Sequence, residues 1–222
     1  MTYPHAYKGV KKLFISELIA IVVSLLPFVG TILVSLDPNS PKGVMSDIGG
    51  YMAIVGLFGL VVVFILQLIG LIQAGKDESS FKIALFIVIL SIVLGVVSPL
   101  LTLYAVPKGL PAIVVTIIDA FKDVSNVFVS IYVLIGISTL AGALDDEVME
   151  LKGRRLIYAI SVLFFFSIML VLVPDIISHF TTPSQTVQYI FYGLGIASSV
   201  AELLVYIFSL IYYGKSVKML KK

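Results

Sequence analysis

Long apolar runs alternate with short polar ones along this chain. Six runs of about 20 residues or more stand out, at roughly 13–36, 48–74, 83–106, 112–144, 156–177 and 189–213. A helix of about 20 apolar residues covers the roughly 30 Å of a bilayer's hydrocarbon. The period-two alternation of a membrane β-barrel is missing, and an open sheet cannot satisfy its backbone in lipid. The pattern therefore predicts an all-α, polytopic membrane protein, a bundle of six transmembrane helices forming one domain over residues 1–222. Roughly five to eleven residues separate the runs, too few for an extramembrane domain.

The charges orient the bundle. Read alternately, the connections on one side carry Lys8, Lys11 and Lys12, then Lys76 and Lys82, then Lys152, Arg154 and Arg155, then Lys215, Lys218, Lys221 and Lys222. The other side holds only Lys42, Lys108 and Lys122. Cations accumulate on the cytoplasmic side of membrane proteins, so both termini are expected there. The expected location is a prokaryotic plasma membrane. The first run is too long for a typical signal-peptide core and lacks a clear cleavage site, so it counts as a span.

Composition agrees. Of 222 residues, 59% are hydrophobic and 13% charged, against about half and a quarter in soluble domains. There is no cysteine, which excludes disulfides, thiolate metal sites and cysteine nucleophiles. The cations flank spans with no aromatic-rich basic face beside them, so nucleic acid is not an expected partner. The lipid bilayer is.

Pro27, Pro99 and Pro174 each fall in the outer part of an odd-numbered span, 72 and 75 residues apart. Together with Gly75, Gly142 and Gly214 at the inner ends of the even spans, they suggest a threefold repeat of helical hairpins about an axis along the membrane normal. Division of any six-span chain into thirds would give similar spacing, and proline is common in membrane helices.

Two places offer chemistry. In "TIIDAFKDVSNVFVSIYVLIG" Asp119, Lys122, Asp123, Asn126 and Ser130 follow helical spacing on one face. The 33-residue run from 112 to 144 would make a helix of about 50 Å, longer than the bilayer core. Counting inward from Leu144, residues 124–144 already span, which leaves Asp119, Lys122 and Asp123 in the outer interface and only Asn126 in hydrocarbon. The alternative is an outward-facing polar mouth in which Asp119, Asp123 and Asn126 meet a solute or cation.

The second place is Glu202. It lies eleven residues from Tyr213 and thirteen from Tyr189, near the expected midplane, where ionisable groups are costly and face the bundle interior. Gly195, Ser198, Ser199, Tyr206 and Ser209 share its side of the helical wheel, while Gly193, Ala197 and Ala201 form a small-residue stripe suited to close packing. A protonated Glu202 that only bridges helices is the competing role. Gln67, in the inner third of the second span, is in reach of Glu202's helix; Glu17, close to Lys11 and Lys12, is expected at the interface. Asp175 and His179 are outer-loop residues.

Catalysis finds little support. The two histidines, His5 and His179, are expected on opposite sides of the membrane. No metalloprotease, nucleophile-elbow or phosphate-loop motif is present. No metal and no cofactor are expected. "LDDEVMELKGRR", residues 144–155, is expected to be a solvated turn. Two functions remain open: a small-solute or ion-coupled transport or binding protein with its site around Glu202, or a membrane interaction or assembly subunit whose polar residues only hold helices together. Expected partners are a small solute or proton in the first case and a membrane or cytoplasmic partner subunit in the second.

Overall fold

A computed structural model of the chain describes residues 2–35, 44–180 and 185–221, with side chains only in part at 24–53 and 167–202. Every element is helical, and no strand occurs among the described residues. The helices are α1 (Pro4–Ser35), α2 (Val44–Ala74), α3 (Ser80–Leu100), α4 (Ala112–Ala143), α5 (Glu147–Phe180) and α6 (Gln185–Leu220). Four stretches among the described residues are long and apolar enough to cross a membrane: Ile48–Ala74, Ser80–Lys108, Ile113–Ala143 and Leu203–Leu220. Large apolar side chains cover their outsides; Phe58, Tyr51 and Phe86 are 71%, 70% and 68% exposed. A water-soluble surface rarely tolerates so much exposed apolar area, and these helices indicate integration into a membrane.

The chain divides into two compact units, residues Met1–Asp77 with Tyr213–Lys222, and residues Glu78–Tyr212. In the first unit α1 and α2 form an antiparallel hairpin. Helix α1 starts on a proline, whose missing N–H costs nothing at that position. The Ala6 N–H there donates to Asp77 Oδ2 at 2.7 Å, so a carboxylate sits at the positive end of the helix. A Cβ on Gly9 would lie 2.5 Å from Ala74 N and 2.5 Å from Gly70 O, and one on Gly70 would lie 2.9 Å from Leu13 Cγ. Farther along, a Cβ on Gly59 would meet Val23 Cγ2 at 2.6 Å. Glycine lets the two backbones approach where hydrocarbon gives helices no other reason to associate. The C-terminal turns of α6 belong to this unit: Ser216, Leu220 and Met219 are buried, and Phe14 reaches 3.3 Å from the Cβ position of Gly214. "GKSVKMLKK" is thus a helix end with one face covered and Lys215, Lys218 and Lys221 exposed.

The second unit is built on α4. Helix α3 runs antiparallel to it, with a constant register. Buried Phe81 lies against Gly136, whose Cβ would fall 2.7 Å from Phe81 Cε2, and the Lys122 stem reaches 3.8 Å from the Cβ position of Gly95. Pro99 removes the N–H that would bond the Gly95 carbonyl. Two residues later the helix widens into a π-helical turn, Leu101–Ala105, and then tightens to a 3-10 turn, Val106–Lys108. Thr102 Oγ1 donates to Ser98 O at 3.1 Å beside the kink. Pro27 and Pro174 also lie inside helices, α1 and α5, which run on past them.

Residues 144–155 depart from the expected solvated turn. Only 144–146 connect α4 to α5; the rest forms the first turns of α5. Asp146 caps the helix, its Oδ1 accepting from Met149 N at 3.1 Å, and Asp145 takes the left-handed conformation, φ 56°, that lets the chain reverse. Glu150 and Arg154 pair one turn apart on the surface.

Candidate functional site

The polar groups fall into three sets, each held by different helices. The first joins α1 to α2. Gln67 Nε2 donates to Glu17 Oε1 at 3.2 Å, and both residues are half-buried. The sequence places Gln67 in reach of Glu202's helix and Glu17 at the interface; the structure adds a bond between the two within the first unit, one turn beyond the Leu13–Gly70 contact. An amide facing a carboxyl across a tight hairpin is an interhelical bridge. It also keeps a proton-accepting group between two helices.

The second set ties α4, α5 and α6. Ser138 Oγ donates to the Glu150 carbonyl at 3.0 Å, and Tyr212 Oη donates to the Met149 carbonyl at 3.2 Å. Gly153 makes room for both hydroxyls, since a Cβ there would collide with Tyr212 Oη and lie 3.0 Å from Ser138 Oγ. Neither Ser138 nor Tyr212 was singled out by the sequence. Their signal is weak, because one hydroxyl among apolar neighbours does not reveal a carbonyl on another helix.

The third set is the polar face of α4. Lys122 Nζ pairs with Asp119 Oδ1 at 3.4 Å, with side chains 35% and 44% exposed. The face does not lie at a helix end by register. Gly95, which Lys122 packs against, is near the middle of the stretch Ser80–Lys108. Asp123 and Asn126 are exposed and have no hydrogen-bond or ion-pair partner among the described residues. Ser91, four residues before Gly95 and so level with Asn126, has a buried Oγ without a partner among the described residues.

Glu202, Ser198 and Ser199 lie on α6, but their side chains fall outside the described ones, as do those of Asp175 and His179 on α5. What can be described is the helix that carries them. It is unbroken from Gln185 to Leu220, with Glu202 at its middle. Tyr206 is half-buried one turn on. Ser209, two turns from Glu202 on the same side, is only 8% exposed, and its Oγ has no hydrogen-bond partner among the described residues. No group of three or more His, Asp or Glu side chains among the described residues converges as a metal ion requires.

No family model, curated protein or solved structure matches this chain.

Proposed function

We propose that this protein binds and moves a small solute or ion across a membrane, with Glu202 as the central group of its site. The observation that supports this best is α6 itself, an uninterrupted helix with a carboxyl at its centre and, in line with it, the buried Ser209 hydroxyl, without a partner among the described residues. A buried hydroxyl without a partner costs about 1–3 kcal/mol, and such groups call for an explanation such as a bound water or ion. Ser198, Ser199 and Tyr206 complete the candidate set on α6, and Asn126, Asp119 and Asp123 on α4 form a second polar surface. Gln67 is engaged with Glu17 and contributes to hairpin packing on this reading.

The architecture proposed with it is a bundle of six spans, the four apolar stretches named above together with α1 and α5, both longer than 30 residues. Both termini are then cytoplasmic, in a prokaryotic plasma membrane. Proline in the outer part of α1, α3 and α5 supports a threefold hairpin repeat.

The test is substitution of Glu202 by Gln. The amide keeps hydrogen-bonding capacity and stays neutral, so the protein should remain folded and inserted while proton- or cation-coupled uptake is lost. Wild-type uptake at every pH in Glu202→Gln would remove coupling through this residue.

A second reading is a non-transporting interaction or assembly subunit. It is favoured by the Gln67–Glu17, Ser138–Glu150 and Tyr212–Met149 bonds, in which polar side chains join helices.

A further inference from the structure

We infer that the polar face of α4 lines a hydrated vestibule, entered from the end of the α3–α4 hairpin that carries residues 109–111 and closed below at Val133, Leu134 and Ile137. The vestibule requires the membrane-embedded reading above but neither Glu202 nor transport.

Three observations carry it. The first is the direction of the face. Gly136 and Lys122 mark the side of α4 turned to α3, and Ser138 and Gly142 the side turned to α5. At 3.6 residues per turn, Asp119, Asp123, Asn126, Ser130, Leu134, Ile137 and Ala141 fall in one sector about 80° wide between them. The opposite sector holds Ile117, Phe121 and Phe128, 47%, 62% and 47% exposed, as a lipid-facing surface would be. The polar stripe therefore points between the neighbouring helices, away from lipid.

The second is a gradient of burial along that single sector. Asp123 and Asn126 are exposed and Ser130 is half-buried. Leu134, Ile137 and Ala141 are then each 0% exposed. The same face is thus open and polar in one half and sealed and apolar in the other. The Ser138–Glu150 and Tyr212–Met149 bonds hold the sealed end together.

The third is depth. The register of α3 on α4 puts Gly136 level with Phe81, next to Lys82. From that level Asn126 is about 15 Å up the helix, Lys122 about 21 Å and Asp119 about 25 Å, within a hydrocarbon layer of about 30 Å. Beyond Asp119, residues 112–118 of α4 and 100–106 opposite them are again almost wholly apolar. The stripe consequently sits below an apolar rim. A carboxylate and a carboxamide without a partner among the described residues at that depth need water, because unsatisfied polar groups in hydrocarbon cost several kcal/mol each.

The absence of cysteine makes the test direct. Single-cysteine variants Asn126→Cys, Ser130→Cys, Ile137→Cys and Phe128→Cys are made in the full chain and treated in sealed vesicles with a membrane-impermeant cationic thiol reagent. Folding is checked by size exclusion, and total thiol is counted after denaturation. The expected result is labelling of Asn126→Cys and Ser130→Cys from one side of the membrane only, with Ile137→Cys and Phe128→Cys unlabelled. Ser130→Cys exchanges one atom and keeps the test valid should Asn126→Cys misfold. If Ser130→Cys stays unlabelled from both sides, the face is covered and the vestibule is wrong. Labelling of Ile137→Cys from the same side would remove the floor, and labelling of Phe128→Cys would show that the sector assignment is reversed. Because the readout is labelling, it is unaffected by whether Glu202→Gln changes uptake.

Discussion

The phenol of Tyr212 donates to the carbonyl of Met149 across 63 residues of chain, in a buried contact of 3.2 Å. Ser138 makes the equivalent bond to the next carbonyl, of Glu150, and Gly153 leaves the space for both. Removing the hydroxyl in Tyr212→Phe should cost about 1 kcal/mol. Gly153→Ala should cost about 1–3 kcal/mol, because the methyl displaces both hydroxyls. Thermal unfolding in detergent would measure each variant and the double mutant. Coupling is expected, with Gly153→Ala less harmful in the Tyr212→Phe background. Simple additivity would mean that the glycine and the phenol do not share this space.

Two glycines of the first hairpin should respond in opposite directions. At Gly9 an added methyl meets backbone atoms of Gly70 and Ala74, which cannot move without separating the helices. Gly9→Ala should destabilise by about 1–3 kcal/mol. At Gly50, on α2, nothing among the described residues lies within 4 Å of the Cβ position. Gly50→Ala should be neutral or gain up to about 1 kcal/mol from helix propensity. Equal effects at both positions, followed by the same unfolding assay, would contradict the close α1–α2 seam.

The Glu17–Gln67 bridge separates charge from hydrogen bonding. Glu17→Gln retains an acceptor for the Gln67 amide and should leave stability nearly unchanged. Gln67→Leu takes the donor away and should cost about 1 kcal/mol, the usual scale for an interhelical hydrogen bond in a membrane. Should Gln67→Leu stabilise the protein in detergent, the bridge contributes nothing to the hairpin.

Much of the fold is legible in one sequence because helix, span and apolar run coincide in a bilayer. The ends of α2 and α4 fall within four residues of the apolar runs that predict them, whereas α6 runs seven residues past the end of its run. What a single sequence does not contain is register between helices. Counting a span inward from Leu144 says nothing of what lies beside Asp119 to Asp123; only the Phe81–Gly136 and Gly95–Lys122 contacts put them level with the middle and outer part of α3. Gln67 and Glu17 are 50 residues apart, and nothing local announces their pairing. The charged stretch after Leu144 misled for another reason. Asp146, three residues before Met149 and four before Glu150, is a helix-capping pattern, and reading its charges as solvation hid the cap.

Helix α6 has a further consequence, for the order in which the molecule assembles. Its last turns belong to the unit built by α1 and α2, while the rest belongs to the unit between them in sequence. Phe14, in the α1–α2 hairpin, receives Gly214 only after the roughly 200 residues between them have been made. Contacts of such long sequence separation form slowly. Until then the α1–α2 hairpin has one flank uncovered, and a chain cut short near Tyr213 would leave this hairpin, far from the cut, as the unfinished part.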